Sequence, residues 1–292
     1  MRQMKRGILF AILAAAFYAL NAPLSKLLLD QVPPTMMAAF LYLGAGLGMA
    51  VLLVVGRKSD LAPREKRLTR HELPYTVGMV LLDIAAPIAL MIGISRTSAA
   101  NASLLNNFEI VATSLIALLV FHEPISRRLW LGIGLVTLST LLLSAEDVSS
   151  LSFSAGSVFV LIACVCWGFE NNCTRMLSSK NPVQIVVIKG VFSGLGSLVI
   201  GLVAGESLPG VGAILAVLAL GFVAYGLSIA LYIYAQRYLG AARTSAYYAV
   251  APFIGVALSL VIFAEVPTLF FVAALLVMIA GTWVVTTADR AD

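Results

Sequence analysis

Ten stretches of apolar residues, separated by short polar turns, run through this chain of 292 residues. The uncharged runs cover 7–25, 31–56, 84–95, 97–108, 129–145, 148–169, 190–205, 207–236, 244–264 and 266–288. A spanning helix needs about 20 apolar residues. The shorter runs are parts of longer segments interrupted by a single charge. Rejoining across Asp83, Glu109 and Lys189 predicts helices near 6–28, 33–56, 74–95, 98–120, 127–145, 154–177, 182–204, 210–237, 242–263 and 267–287. The longest polar stretch between them, Arg57 to Glu72, is too short to fold alone. The expectation is an all-α polytopic membrane protein of ten transmembrane helices.

Composition supports a membrane solvent. Hydrophobic residues make up 61% of the chain and charged residues 11%, against about 25% charged in a soluble domain. The basic excess is therefore no nucleic-acid footprint. With ten spans the two termini share a side. That side and its loops hold every one of the 19 basic residues except Lys26, Arg96 and Lys189. Positive residues stay on the cytoplasmic face, so both termini are expected inside a bacterial-type inner membrane. The first segment begins basic and then turns apolar, as a signal peptide does. The apolar run continues to Leu29, which favours an uncleaved first helix. Cys164, Cys166 and Cys173 fall in one predicted helix at spacings that match no metal site, and His71 and His122 fall in loops. No metal or cofactor is expected.

The two halves resemble each other. Phe17-Tyr18-Ala19-Leu20-Asn21 in span 1 parallels Cys166-Trp167-Gly168-Phe169-Glu170 in span 6. Gly44-x-x-x-Gly48 in span 2 parallels Gly190-x-x-x-Gly194 in span 7, and Phe121-His122-Glu123 parallels Phe263-Ala264-Glu265. Five helices per half is an odd number, so the second half must insert upside down. The expected units are residues 1–146 and residues 147–292, as inverted repeats with a site near the midplane.

These features resemble the drug/metabolite transporter superfamily, in its ten-helix EamA-type branch of paired five-helix repeats. The segments 95–123 and 237–265, each ending Phe-x-Glu, carry the resemblance, with the aromatic-plus-polar motifs of spans 1 and 6. Ala163-Cys-Val-Cys-Trp-Gly168 and Leu104-Leu-Asn-Asn-Phe108 are similar to the aromatic amino-acid exporters within that branch. The resemblance implies alternating-access export of amino acids, aromatic ones among them, or of related amphipathic metabolites. It also leads one to expect a proline in span 4 matching Pro252 of span 9. The counterpart, Asn106-Asn107-Phe108-Glu109-Ile110, has none.

Several residues carry chemistry. Glu109 and Asp83 are carboxylates at bilayer depth, where an unpaired charge costs several kcal/mol. Either can exchange a proton or hold a substrate ammonium; either can equally be neutralised by neighbours. Asn101, Asn106 and Asn107 form a polar sector with Glu109 on span 4, suited to both ends of a zwitterion or to hydrogen bonds between helices. Trp167, Glu170 and Asn171 share a face of span 6. Tyr18 and Asn21 share a face of span 1, and Tyr225, Tyr247 and Tyr248 add an aromatic, hydroxyl-bearing wall. These thirteen residues are the expected substrate contacts. Glu109 and Asp83 are the expected proton sites. Pro23, Pro87 and Pro252 are the expected hinges. Lys189 is expected to run its stem to the headgroups. Lys26 and Arg96 are read as topology markers, and Glu123-Pro124 and Glu265 with Pro267 as helix starts.

No nucleotide-binding loop or hydrolase motif appears, so the expected function is transport, not catalysis. The expected partners are a small-molecule substrate and the lipid bilayer, with the chain acting as a monomer. Organic cations are an alternative substrate class. An intramembrane enzyme or lipid-handling protein, using the buried carboxylates as acid or base, is the alternative outside transport.

Overall fold

The computed structural model describes residues 2–56, 68–121, 126–147, 152–177, 180–239, 244 and 247–288. His122, Glu123 and Pro124 lie outside the described residues, as do most basic residues of the loop after residue 56. Thirteen α-helices are described: α1 (Arg2–Ala19), α2 (Asn21–Leu28), α3 (Pro34–Gly56), α4 (Leu73–Arg96), α5 (Ala99–Leu105), α6 (Phe108–Phe121) and α7 (Arg127–Ser144) precede a short antiparallel ribbon of Ala145–Asp147 with Ser152–Phe153. There follow α8 (Ala155–Leu177), α9 (Pro182–Val203), α10 (Val211–Gly221), α11 (Ser228–Leu239), α12 (Ala251–Ile262) and α13 (Leu269–Ala288). Among the described residues, seven helical segments are long and apolar enough to cross a membrane, and two apolar helices, Ala251–Ile262 and Leu269–Val285, are shorter. The protein is a polytopic, predominantly helical membrane protein.

The helices associate in pairs: α4 on α8, α3 on α9, α7 on α13 and α1 on α11. Glycine lets the α3 and α9 backbones touch. A methyl group added to Gly190 would lie 2.4 Å from the Gly46 nitrogen, and one on Gly46 would lie 2.5 Å from the Val191 nitrogen. Gly44 and Gly221 likewise bring α3 against α10, where an added Cβ would meet the Leu218 or Leu41 carbonyl. Small residues at such crossings are what membrane helix packing selects, because lipid supplies little hydrophobic drive between helices.

Four spans are interrupted. Leu20 separates α1 from α2; Pro23 has no N–H for the Ala19 carbonyl, and the chain tightens through a Leu20 N–H bond to Phe17 O. Asn106 and Asn107 separate α5 from α6 by i→i+3 bonds, Asn107 N–H to Leu104 O and Glu109 N–H to Asn106 O. A break without proline therefore replaces the expected proline of span 4. Between α10 and α11 the helix widens into a π turn over Phe222–Leu227. Before α12 the chain turns at Ala249-Val250, and Pro252 occupies the first turn of α12. Pro87 lies inside α4, where it removes a donor from the Asp83 carbonyl four residues earlier.

Candidate functional site

Three of these breaks meet. A small cavity is lined by Tyr18, Ala19, Asn21 and Ala22 at the α1/α2 break, Ser103 and Asn106 at the α5/α6 break, and Ala251, Pro252 and Gly255 of α12. Gly255 makes the convergence possible: a Cβ there would sit 2.9 Å from the Ser103 hydroxyl. Two buried polar atoms in this wall have no hydrogen-bond partner among the described residues, Ser103 Oγ and Asn106 Oδ1. A buried acceptor left open costs roughly 1–3 kcal/mol, so these atoms are available to a ligand or to water. Asn21 is differently placed. Its amide donates to Tyr225 Oη at 2.9 Å and its carbonyl accepts from Ser25 Oγ at 3.1 Å.

Aromatic rings stack behind Tyr18, which lines the cavity wall. Tyr18 meets Tyr225 edge-on at 5.9 Å and Tyr248 at 6.0 Å. Tyr248 meets Tyr232 at 4.9 Å, and its hydroxyl is 3.5 Å from Ser228 Oγ. Tyr225 sits on the π turn and is buried; the extra residue in that turn points its ring inward. Tyr247 packs elsewhere, near Ala11 and Ala235.

A second polar centre lies across Tyr225. Its ring is 5.2 Å from that of Tyr42 on α3. The Tyr42 hydroxyl donates to Asp83 Oδ1 at 2.9 Å and accepts from Trp167 Nε1 at 3.4 Å. Asp83 Oδ2 lies 3.1 Å from Lys189 Nζ, and the same ammonium lies 3.0 Å from Glu170 Oε1. Thr174 also donates to Glu170 Oε1. Lys189 therefore does not run to the headgroups, because two carboxylates hold it inside the helix packing.

Glu109 is partly buried and engages neither centre directly. Its Oε1 accepts from Asn171 Nδ2 at 2.7 Å, and Asn171 also reaches Thr113. Asn101 faces α8, donating to Thr97 and Ser157, and Asn107 is buried against the Leu104 carbonyl. Lys26 is more than a marker: it donates to the carbonyls of Ile94, Ser95 and Thr97 and so closes the end of α4. Arg96 stacks on Phe159.

The structure thus brings together Tyr18, Asn21, Asn106, Tyr225, Tyr248 and Pro252 around the cavity. It groups Asp83, Trp167 and Glu170 at the ionic centre and leaves Asn101, Asn107, Glu109, Asn171 and Tyr247 outside both. Sequence reasoning missed Tyr42, Ser103, Thr113 and Thr174. The one available signal was that Tyr42 is a lone hydroxyl in an apolar stretch of span 2; serine and threonine are too common in spans to single out. Among the described residues no group of three or more His, Cys, Asp or Glu side chains is placed to hold a metal.

The sequence profile of the EamA-like transporter family matches residues 5–145 and 154–287. The chain belongs to the EamA-like transporter family. It is 28% identical over 208 residues to an uncharacterized transporter of Methanothermobacter thermautotrophicus, covering 66% of this chain and 60% of that protein's length. It is 20% identical over 265 residues to the uncharacterized transporter YyaM of Bacillus subtilis, covering 88% of this chain and 86% of the relative. A solved crystal structure with 16% sequence identity covers 97% of both chains with a TM-score of 0.70, which shows a shared fold. This family member therefore has a transporter fold whose interior holds an uncharged cavity and a filled ionic centre.

Proposed function

We propose that this protein is a secondary transporter of ten spans in two inverted five-helix repeats, residues 1–146 and 147–292. It moves amino acids, aromatic ones included, or related amphipathic metabolites out across the inner membrane by alternating access. The observation that carries this reading is the convergence of three broken spans on one cavity lined by uncharged polar groups. Broken helices free backbone carbonyls and N–H groups at membrane depth, which is where secondary carriers bind solute. Asn106 Oδ1 and Ser103 Oγ offer acceptors to a substrate ammonium. Tyr18 offers a ring to its apolar body, backed by Tyr225 and Tyr248.

The helix pairing supports the inverted repeat. If span 1 corresponds to span 6 and span 3 to span 8, the pairing of α4 with α8 maps onto that of α11 with α1. The pairings of α3 with α9 and of α7 with α13 map onto themselves. Spans 4 and 9 are both broken, span 3 carries Pro87 mid-helix, and span 8 carries a π turn. Organic cations fit the same acceptors and rings. Phosphate esters fit poorly, since the cavity lining contains no cation.

The test is uptake of a panel of labelled amino acids by proteoliposomes, with wild type and Asn106→Ala in parallel. The expected result is saturable uptake, blocked by excess unlabelled substrate and weakened in the variant. Uptake of no panel member would refute the amino-acid reading and direct the panel to cationic drugs.

A further inference from the structure

Among the described residues, the ionic centre has a charge count that does not close. Asp83 and Glu170 bring two negative charges and Lys189 brings one positive charge. Asp83 and Glu170 are fully buried or nearly so, and Lys189 is 13% exposed. Along their helices Asp83 stands ten residues from Leu73, and Glu170 and Lys189 stand seven from Leu177 and Pro182. At 1.5 Å per residue these depths are about 15 and 10 Å. A net negative charge at such a depth is costly unless a further cation neutralises it. The ammonium already fills the space between the carboxylates, so a metal ion has no room, whereas a proton adds no volume.

One carboxyl is placed so that taking it matters, because Asp83 alone of the two carboxylates reaches Lys189 from the other half. Glu170 Oε1 is hydrogen-bonded by Thr174, and Asp83 Oδ1 is hydrogen-bonded by Tyr42. Asp83 Oδ2 is fully buried and its partner is the Lys189 ammonium at 3.1 Å. The three groups also divide between the two halves. Asp83 and Tyr42 come from the first; Glu170, Lys189 and Trp167 come from the second. We propose that Asp83, Glu170 and Lys189 form a one-proton lock that holds α4 against α8 and α9. The lock loosens when a proton binds Asp83 and leaves Lys189 to Glu170 alone.

The step balances simply. A hydronium ion gives its proton to the Asp83 carboxylate: one O–H bond breaks in the hydronium, one forms on the carboxyl, and a water molecule leaves. The Lys189–Glu170 pair that remains is neutral and lies wholly within the second half. The ionic link between the halves becomes a neutral contact, and α4 can part from α8. The other groups facing the centre are Tyr42 from α3 and Cys173 from α8, whose sulfur lies against Gly78 of α4. Glu109 on α6 is one step further out, on Asn171. Tyr42 ties the lock to the cavity, since it bonds Asp83 and packs on the Tyr225 ring that holds Asn21.

This inference rests on the transporter reading for its purpose, but its test needs no substrate. Infrared pH-difference spectra of the reconstituted full chain should show one buried carboxyl band that gains its proton as pH falls. Either Asp83→Asn or Glu170→Gln should abolish the band, because each leaves a neutral pair with Lys189. Glu109→Gln should keep it. A band that survives both of the first two variants, or is absent from wild type, overturns the proposal. Two independent variants guard against one misfolding. The lock itself is read at Cys173 in a chain whose other cysteines are changed to alanine, using a membrane-permeant maleimide at fixed pH. Asp83→Asn, a mimic of the protonated state, should label several-fold faster than its parent. Equal rates would overturn the lock. Failure of the uptake panel would leave both readouts standing, and failure of both readouts would leave saturable uptake standing.

Discussion

Two polar regions are buried in this bundle, and they are built in opposite ways. The ionic centre of Asp83, Lys189 and Glu170 is charged and filled, with Tyr42 and Thr174 completing the carboxylates. The cavity at the helix breaks is uncharged and open, with Ser103 Oγ and Asn106 Oδ1 left without partners. Burial makes both expensive. The first offsets that cost internally and so holds helices together; the second leaves it for a ligand to offset. The same cost therefore gives a structural joint in one place and a binding surface in the other.

The strongest way to break this contrast is to remove the cation. Lys189→Met leaves two buried carboxylates facing each other with nothing between them. Losing one partner of a buried ion pair costs about 3–5 kcal/mol, so the unfolding midpoint in detergent should fall sharply. An unchanged midpoint would mean that the carboxylates find other partners and that the centre is no joint.

A smaller effect should come from moving the lysine without deleting it. Gly190→Ala pushes a methyl group to within 2.4 Å of the Gly46 nitrogen, so α9 must back away from α3 and carry Lys189 with it. Overpacking of this kind costs about 1–3 kcal/mol. Gly134→Ala is the control, because an added Cβ there meets nothing within 4 Å. Equal midpoints for the two variants would mean that the crossing relaxes freely.

These contacts also show what was legible in the sequence. The polytopic helical character and the small-residue crossings follow from apolar run length and glycine spacing, which local chemistry determines. The break in span 4 did not: the expected signal was a proline, but paired asparagines whose chain turns through i→i+3 bonds do the same work. Lys189 was visible as a charge in a span, but the rule that lysine reaches for headgroups has no knowledge of neighbours. Its true partners come from α4 and α8, and only the tertiary packing of helices far apart in sequence brings them together. Asp83 and Glu170 were both visible, but not as a pair. The turn between α5 and α6 puts Asn106 in the cavity wall while Asn101 bonds Ser157 and Asn107 bonds the Leu104 carbonyl.

The open region makes the next prediction. Asn106→Ala removes an acceptor that has no partner in the fold, so stability should barely change. If that acceptor binds substrate, the lost hydrogen bond is worth roughly 1–2 kcal/mol, or about a 5–30-fold rise in KM for uptake. A fallen midpoint with unchanged KM would reverse the assignment and make Asn106 part of the joint.

Glu109 gives the smallest expected effect and the finest test. It is the carboxylate most conspicuous in the sequence, alone in the run from Thr97 to Phe121. In the fold it is only partly buried, sits in the first turn of α6 and accepts one hydrogen bond from Asn171. Glu109→Gln keeps an acceptor for that amide and loses only the favourable placement of negative charge at a helix start, worth about 0.3–1 kcal/mol. Thermal unfolding should register a shift near the limit of detection, and the pH dependence of uptake should persist. Were that pH dependence to vanish in Glu109→Gln while surviving in Asp83→Asn, the proton would belong to the open side of the molecule. The ionic centre would then be a fixed joint, and the division of labour between the two regions would run the other way.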